Sequence, residues 1–424
     1  MEMVGPRTKG LRLDAPRALD ELRSELAASP RRVDDDLFAW PLLTLDDDAL
    51  AHNMETMADV CREFGVWHAP HIKTPMSAQL WARQAAAGAW AATVAMPHQL
   101  RVAHDWGVPR VLLANELVDA REARWLASAL ATDADFEVWL EVDSDVGIEV
   151  LTEVFSGMVD EVLARLHPLV EVGVPGGRTG VRTSVQAVAL ARQLVDDGWP
   201  VSGVIGYEGP VAGGASAEDL AAVATWVQQV IHMAGEVADV ASGASPSGEP
   251  FVVSLGGSAY LDVVLPALGA LPAGWQGVVR AGAYATHDHV HYAVLNPWAR
   301  LPGGRALRPA ITVWAQVLSL PEQGLALLGA GRRDVAFDLD MPVPLWWRRC
   351  GEDGRLGLPT QFGPDTRVTQ VNDQHAFVAL GDEPLRVGDV VGLGMSHPCT
   401  VFDKWRLAAV TRGDDVIDLY SMDF

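Results

Sequence analysis

The feature that most limits the possible folds is a long alternation of short β-branched segments with longer helical segments, from about residue 40 to residue 290. Nine segments have the composition of buried strands: PLLTL (41–45), WHAPHIK (67–73), AATVAM (91–96), RVLLANE (110–116), FEVWLEVD (136–143), HPLVEVGV (167–174), VSGVIGYEG (201–209), FVVSLGGS (251–258) and GVVRAGAY (277–284). Strands separated by helix-length segments predict parallel βαβ units. Eight or nine such units in about 250 residues predict a TIM barrel, whose chemistry lies at the carboxyl ends of the strands. A doubly wound sheet is the alternative, but no GxGxxG motif follows an early strand.

Beyond residue 300 the pattern changes to strand-like segments without long helices between them, such as ITVWAQVLSL and VGDVVGLGM. Short strands separated by turns predict an antiparallel β domain. We therefore expect an α/β chain with a TIM barrel at 41–295 and an antiparallel β domain at 296–424. Residues 1–40 are expected to pack with the β domain. The segment VASGASPSGEP (240–250) is typical of a flexible connector.

Composition and charge exclude several classes of function. The 32 basic and 55 acidic residues give a net charge of −23, which argues against nucleic acid as a partner. No apolar segment reaches the roughly 18 residues that a transmembrane helix needs, and the N-terminus lacks the apolar core of a secretory signal. Three cysteines make a disulfide framework improbable. We expect a cytoplasmic enzyme that binds neither nucleic acid nor a membrane.

Polar residues recur where the predicted barrel strands end. Lys73 stands between a β-like run and an Ala-rich helical run, which in a barrel is the edge that carries the active site. A lysine at the end of a strand is more often a solvated surface charge, so Lys73 alone proves little. The polar and glycine residues at the strand ends are Lys73, Asn115, Glu116, Asp143, Arg178, Tyr207, Glu208, Gly256, Gly257 and Ser258. Their shared position predicts one site.

Two glycine-rich turns could bind an anion. In SLGGSAY (254–260), backbone N–H groups that no Cβ obstructs lie beside a serine hydroxyl, an arrangement that suits a phosphate. In VPGGRTGVRT (174–183), Arg178 and Arg182 could counter its charge. A simple tight turn is the alternative for each segment. A reactive lysine together with a phosphate site suggests pyridoxal phosphate.

A second cluster lies in the predicted β domain. His397 and Cys399 in SHPCT are two residues apart, so in an extended strand both would point to one face. Imidazole with thiolate is a pair of ligands that suits Zn²⁺. His375 in NDQHAF is a candidate third participant. The alternative is an ordinary β-strand that carries these residues by chance.

Taken together, these segments resemble a known family. The chain resembles the D-serine dehydratase/D-threonine aldolase group of alanine racemase-like, fold type III pyridoxal phosphate enzymes. The matching segments occur in the same order as in that group: PHIKT, AAGAWAATVAM, VLLANELVD, EVGVPGGRTGVR, GYEG, GGS, RAGAY with the following HD, QHAF and SHPCT. The bacterial amino-acid deaminases of that group look most similar. The resemblance implies a cofactor-binding barrel, a C-terminal β domain and a homodimer with its sites near the interface.

The resemblance also implies roles for single residues. Lys73 resembles the Schiff-base lysine, and His375 a catalytic histidine near the substrate hydroxyl. His397 and Cys399 resemble the metal pair. The further cofactor contacts would be Arg178, Tyr207, Gly256, Gly257, Ser258 and Tyr284. The family often has Glu-His-Gly where this chain has Gln-His-Ala around His375, which leaves the role of that histidine less certain.

The implied reaction is either dehydration or retro-aldol cleavage of a D-3-hydroxyamino acid. In the first, Lys73 removes the α-proton while the metal polarises the leaving hydroxyl, and the products are a 2-oxo acid and ammonia. In the second, a base such as His375 deprotonates the β-hydroxyl, and the products are glycine and an aldehyde. The His-x-Cys pair favours zinc, with Mn²⁺ or Mg²⁺ as alternatives, and hence the dehydratase. A racemase and a non-catalytic cofactor carrier are the remaining alternatives.

Overall fold

The computed structural model describes residues 2–241 and 250–424. Most of the connector predicted at 240–250 therefore lies outside the described residues. Strands are labelled β1–β21 and helices α1–α13 in chain order. The N-terminal part contains β1 (Met3–Val4), β2 (Arg17–Ala18), α1 (Leu19–Ala28), β3 (Arg31–Arg32) and β4 (Leu42–Asp46).

The central unit is a barrel of parallel strands. Its strands are β5 (Trp67–His68), β6 (Ala92–Val94), β7 (Arg110–Glu116), β8 (Glu137–Val142), β9 (Leu166–Val172), β10 (Gly203–Gly206), β11 (Phe251–Ser254) and β12 (Trp275–Val279). Consecutive strands pair from β6 to β12, and β12 pairs with β5. An isolated parallel bridge between His71 and Thr93 joins β5 to β6 and closes the circle. The predicted TIM barrel is confirmed.

Helices separate the barrel strands, as the alternation in the sequence predicts. They are α2 (Asp47–Phe64), α3 (Ala78–Ala86), α4 (Pro97–Asp105), α5 (Ala120–Thr132), α6 (Asp145–Phe155), α7 (Asp160–Leu163), α8 (Ser184–Asp196), α9 (Ala217–Ala241) and α10 (Leu261–Leu268). α2 shows why such a helix forms where it does. The Asp46 side chain accepts a hydrogen bond from the backbone N–H of Ala49 at the start, and Gly65 takes a left-handed conformation at the end.

Inward-facing side chains fill the barrel. One small or apolar residue from each strand or its flank forms the central layer: Ala69, Ala91, Leu112, Trp139, Leu169, Ile205, Val252 and Val278. Side chains on a strand face the same side every second residue, so Glu141 and Glu171 lie inward, two positions beyond Trp139 and Leu169. The barrel interior is thus apolar at its centre and charged at its carboxyl end.

The β domain follows two short helices, α11 (His291–Leu295) and α12 (Pro297–Arg300). Its strands are β13 (Ile311–Glu322), β14 (Leu325–Leu328), β15 (Val343–Arg348), β16 (Thr360–Gln361), β17 (Arg367–Val371), β18 (Ala376–Ala379), β19 (Val390–Gly394), β20 (Leu407–Arg412) and β21 (Asp415–Ser421), with α13 (Cys399–Phe402) between β19 and β20. The main sheet has the order β16-β15-β19-β13-β4-β20-β21-β3, and β14, β17 and β18 extend it from β13. The predicted antiparallel β domain is confirmed.

The prediction that residues 41–45 form the first strand of the barrel is wrong. As β4, it lies in the middle of the β-domain sheet, antiparallel to β13 and parallel to β20. Leu42, Leu43 and Leu45 are buried. A short apolar run bounded by turn residues is equally suited to a barrel strand and to a central strand of another sheet, so composition could not distinguish them.

The N-terminal segment contacts the β domain at several points. β3 pairs with β21 at the edge of its sheet. Lys9 forms an ion pair with Asp334 at 2.9 Å, and Arg23 pairs with Asp418 at 2.8 Å. Among the described residues, none of the helices combines the length and apolar character that crossing a bilayer requires.

Candidate active site

A cavity of about 340 Å³ opens at the carboxyl ends of the barrel strands, where the segment 397–399 of the β domain covers them. This is the edge at which TIM barrels place their chemistry. The predicted site residues that line it are Lys73, Arg178, Tyr207, Gly257, Ser258, His397 and Cys399. The tertiary structure therefore brings residues from both ends of the chain into one site.

Lys73 projects into this cavity from the turn that follows the bridge between β5 and β6. Burial lowers the pKa of its ammonium group, and the positive charges of Arg178 and Arg280 lower it further. A lowered pKa increases the fraction of neutral, nucleophilic amine. Lys73 therefore has the environment of a reactive amine, unlike that of a solvated surface charge.

Arg280 is a buried cation in the wall of the cavity. It directly follows β12, is 4% exposed, and donates hydrogen bonds to the Ser254 hydroxyl and the Gly206 carbonyl, each at 2.6 Å. Arg178 lies on an exposed turn with its guanidinium 4.8 Å from the centroid of the Tyr207 ring. With Lys73, these two arginines make the cavity suitable for an anion such as a phosphate.

Glycines allow other groups to approach closely in this wall. A Cβ on Gly257 would lie 2.5 Å from Tyr207 Cε2, and a Cβ on Gly282 would lie 2.3 Å from the His71 carbonyl oxygen. Larger residues would displace Tyr207 or the strand end that precedes Lys73. These close contacts explain why glycine occupies positions 257 and 282.

The loop predicted to bind phosphate has an internal partner. The fully buried Glu208 accepts hydrogen bonds from the backbone N–H groups of Gly256 at 3.1 Å and Gly257 at 2.7 Å. Both amides expected to face a phosphate are therefore occupied by a carboxylate of the chain itself. Ser258 lies at the cavity surface, where it hydrogen-bonds to Tyr292. Glu208 thus fixes the loop so that Ser258 faces the cavity.

The candidate metal pair, His397 and Cys399, lines the cavity from the β domain. The Nδ1 atom of His397 lies 2.6 Å from a carboxylate oxygen of Asp338, whose other oxygen accepts a hydrogen bond from Thr400. A carboxylate that orients the ring of a ligating histidine is typical of metal sites. The interaction with Cys399, followed by that with Asp338, raises the pKa of His397 to about 9.

Cys399 has the environment of a thiolate. Burial opposes ionisation, but hydrogen bonds from His397 and Thr74 outweigh it and lower the pKa of the thiol. Its Sγ atom lies 3.2 Å from the hydroxyl of Thr74, the residue after Lys73. The expectation that His397 and Cys399 lie in one extended strand is wrong, because Cys399 begins α13 after β19 has ended.

Of the residues to which the resemblance assigns a role, three do not line the cavity. Gly256 faces Glu208, as described above. Tyr284 is buried behind the wall, where its hydroxyl accepts a hydrogen bond from Gln84 at 3.2 Å. His375 lies exposed in the turn between β17 and β18. The roles predicted for these residues stay predictions.

The segment THDHVHY (286–292), predicted as a polar loop, is buried at residues 286–288 and half-buried at 289–292. His287 is buried and His289 half-buried, and burial lowers the pKa of each to about 4. Asp288 is also buried and accepts hydrogen bonds from the N–H groups of Val290 and Tyr292. The loop therefore positions Tyr292 at the cavity by means of neutral histidines and one buried carboxyl group.

Several cavity residues were missed in the sequence, namely His71, Thr74, Glu141, Glu171, Arg280 and Tyr292. Glu141 is 5% exposed, and burial, opposed by the charge of Arg280, raises the pKa of its carboxyl group to about 7. The signal that could have revealed Glu141 and Glu171 is a charged residue at an inward position of a barrel strand. Tyr292 lies outside the barrel strands, so no alternation of inward and outward residues could have indicated that it lines the cavity.

Comparisons with known proteins agree with this architecture. Residues 310–411 match the family described as "Putative serine dehydratase domain". Among curated proteins, no sequence matches the chain. Solved structures with the same fold include a D-threonine aldolase from Filomicrobium marinum (23% identity, TM-score 0.72, covering 91% of this chain and 95% of that one).

Two further structures extend the comparison. The D-threo-3-hydroxyaspartate dehydratase from Delftia sp. HT23 is 21% identical, with a TM-score of 0.70 and coverage of 91% of this chain and 97% of that one. An alanine racemase-like protein from Idiomarina loihiensis is 14% identical, with a TM-score of 0.69 and coverage of 91% and 96%. The predicted resemblance is confirmed at the level of the fold: the chain has the architecture of alanine racemase-like, fold type III structures, and residues 310–411 match the serine dehydratase family model.

Proposed function

We propose that this protein is a pyridoxal phosphate-dependent lyase that dehydrates D-3-hydroxyamino acids with the help of a divalent metal ion, most suitably Zn²⁺. The observation that carries the proposal is the shared cavity of an amine with a lowered pKa, Lys73, and an imidazole–thiolate pair, His397 and Cys399. The contact between Thr74 and Cys399 joins the two groups. An amine for the cofactor beside a pair of metal ligands suits the elimination of a hydroxyl group.

The cavity residues fit both proposed groups. Lys73 would hold pyridoxal phosphate covalently through Nζ. The anionic groups of the cofactor would be countered or bound by Arg178, Arg280 and Ser258. Tyr207 would lie beside the cofactor ring. When bound, pyridoxal phosphate supplies an electron sink for the bond that breaks at the α-carbon. His397 and Cys399 would hold the metal, which supplies a Lewis acid for the β-hydroxyl. Two protein ligands leave coordination positions for substrate or water.

Other steps of the proposed reaction depend on residues of the chain itself. Once free, Lys73 accepts the α-proton at Nζ, because burial and the neighbouring arginines favour its neutral form. Arg280 is held rigidly by Ser254 and Gly206, so its charge stays in place during the reaction. Glu208 keeps the loop before Ser258 from moving. His397 and Cys399 of the β domain line the same cavity as Lys73, so their side chains can contact a substrate bound there.

Retro-aldol cleavage is the second candidate, since solved structures of similar fold include an aldolase as well as a dehydratase. Two observations favour dehydration. The thiolate of Cys399 prefers a soft metal such as zinc. His375, the predicted base for the aldol route, is exposed on a turn outside the cavity of its own chain. In the homodimer that the resemblance implies, a second subunit would be needed for His375 to reach a site.

The deciding experiment is the incubation of cofactor-loaded protein with D-threonine and Zn²⁺, followed by product identification. We expect 2-oxobutanoate and ammonia in equal amounts. Glycine with acetaldehyde would instead make the protein an aldolase and return His375 to the role of base. Release of L-allothreonine alone, the product of inversion at the α-carbon, would identify a racemase, and no product from any D-3-hydroxyamino acid would favour a cofactor carrier.

Replacing Asp338 with asparagine is expected to weaken Zn²⁺ binding by roughly 10- to 100-fold, because the carboxylate that orients His397 is lost. The affinity can be measured by competition with a chromophoric chelator. Asp340→Asn is the matched control, because the backbone carbonyl rather than the side chain of Asp340 makes the recorded contact, with Ser396. Equal affinities for Asp338→Asn and the wild-type protein would show that His397 does not depend on this carboxylate.

A further inference from the structure

Three carboxylates meet at the carboxyl ends of three neighbouring barrel strands. Glu116 ends β7, Asp143 follows β8 and Glu171 lies near the end of β9. One oxygen of each lies within 4.8 Å of the others. We call Glu116, Asp143 and Glu171 the acidic trio. Three like charges at this separation repel one another strongly in a partly buried place.

The hydrogen bonds present are too few to neutralise the trio. The N–H of Gly180 donates to Asp143 at 3.0 Å, and the Thr179 hydroxyl donates to Glu171 Oε1 at 3.1 Å. Glu116 Oε1 and Glu171 Oε2 are buried, and no donor group of another described residue reaches them. Burial, followed by the hydrogen bond to the Glu171 carboxyl group, raises the pKa of Glu116. Buried acceptor oxygens without a donor are costly and require an explanation.

The nearest arginine of the same turn does not supply the missing charge. The guanidinium group of Arg182 donates to the backbone carbonyls of Arg178, Thr179 and Gly180. Its donors are therefore directed at the backbone of the turn rather than at the carboxylates. Arg182 therefore does not neutralise the trio, and the buried Arg280 interacts electrostatically with Glu171 alone of its three members.

A fourth carboxyl group points to a ligand at the same place. Glu141 faces inward from β8, is 5% exposed, and makes no hydrogen bond or ion pair within the described part of the chain. In the barrel sheet it is the register partner of Glu116. Glu171 is itself only 8% exposed and lines the cavity beside Glu141. This buried carboxyl group makes no hydrogen bond with the described residues, and Arg280 offsets part of its charge, so it adds negative charge beside the trio.

We propose that the acidic trio binds a hard divalent cation of the Mg²⁺ or Mn²⁺ type, at a site separate from His397 and Cys399. Carboxylate oxygens from three side chains are the ligands that such ions prefer, whereas the imidazole–thiolate pair suits a softer ion. The cation satisfies the unpartnered oxygens of Glu116 and Glu171 together. It also ties β9 to the two preceding strands just before the turn that carries Arg178.

The test is a Mn²⁺ titration of cofactor-loaded His397→Ala protein at pH 8, followed by the electron paramagnetic resonance signal of free Mn²⁺. The His397→Ala substitution removes the imidazole of the soft site, and within the described residues the trio is then the group of three ligands left to bind Mn²⁺. We expect one Mn²⁺ per chain, and an affinity at least about tenfold lower when Asp143→Asn is added. Glu149→Gln is the control, because it makes a similar charge change at an exposed residue of α6.

Two results would overturn the site. One is the absence of Mn²⁺ binding to His397→Ala protein, which would leave a proton shared by Glu116 and Glu171 as the neutralising group. The other is binding that Asp143→Asn does not weaken. If Asp143→Asn does not fold, as judged by circular dichroism, Glu116→Gln tests the same site. The readout does not require turnover, so the failure of the proposed lyase activity would leave it interpretable.

Discussion

Replacing Lys73 with alanine is expected to reduce turnover of D-threonine by at least about 10²- to 10⁴-fold, the usual contribution of a positioned acid–base group. The loss should be larger still, because the same amine also holds the cofactor covalently. The physical reason lies in its position, half-buried after a barrel strand, where desolvation and the charges of Arg178 and Arg280 favour its neutral form. The measurement is the rate of 2-oxobutanoate formation at saturating cofactor and metal.

A chemical control separates the role of Lys73 from a general loss of structure. The chain has only three lysines, Lys9, Lys73 and Lys404. Borohydride reduction of loaded protein, followed by proteolysis and mass spectrometry, should find the cofactor on Lys73 and not on the other two. Lys73→Arg keeps a positive charge but cannot act as a neutral amine, so it should be as inactive as Lys73→Ala. Labelling of Lys9 or Lys404, or turnover of Lys73→Ala within tenfold of wild type, would contradict the assignment.

Replacing Arg280 with methionine is expected to lower the free energy of unfolding of the cofactor-free protein by roughly 3–5 kcal/mol, as when one partner of a buried charge cluster is removed. Methionine fills most of the same space but removes the hydrogen bonds to Ser254 and Gly206. It also leaves the buried carboxyl groups of Glu141 and Glu208 without their nearest buried cation. Urea-induced unfolding, followed by tryptophan fluorescence, measures the change.

Two further variants serve as controls for the effect of Arg280→Met. Arg192→Met removes an exposed arginine from α8 and is expected to change the free energy of unfolding by less than about 0.5 kcal/mol. Arg280→Lys keeps a charge but has a single hydrogen-bonding head group, so it should be intermediate. A loss for Arg280→Met no greater than that for Arg192→Met would mean that the buried cation does not stabilise the fold.

The fold could be predicted largely from local patterns. Strand and helix lengths follow from hydrophobic periodicity and from helix caps such as Asp46 and Gly65. The strand predicted at 110–116 has the bounds found in the structure. The error at 41–45 arose because a buried strand has the same composition in either sheet. Only its pairing with β13 and β20, hundreds of residues later, places it in the β domain.

The candidate site was only partly predictable. Residues at strand ends, such as Lys73 and Tyr207, could be proposed because parallel strands of a barrel bring their carboxyl ends to one edge. Glu208 shows where this reasoning stops. It was recognised as a residue at a strand end, but its bonds to Gly256 and Gly257 depend on the geometry of two neighbouring strands. Likewise, Asp338 meets His397 only because the chain folds back between them.

The sequence by itself determined the order of strands and helices, the change from a parallel barrel to an antiparallel domain, and the position of Lys73 at a strand end. These properties depend on residues close together in the chain. The tertiary structure decided which charges share the cavity, from Arg280 beside Glu141 to the acidic trio. Burial and electrostatic neighbours act over distances in space, and residues from separate strands acquire them only when the barrel closes.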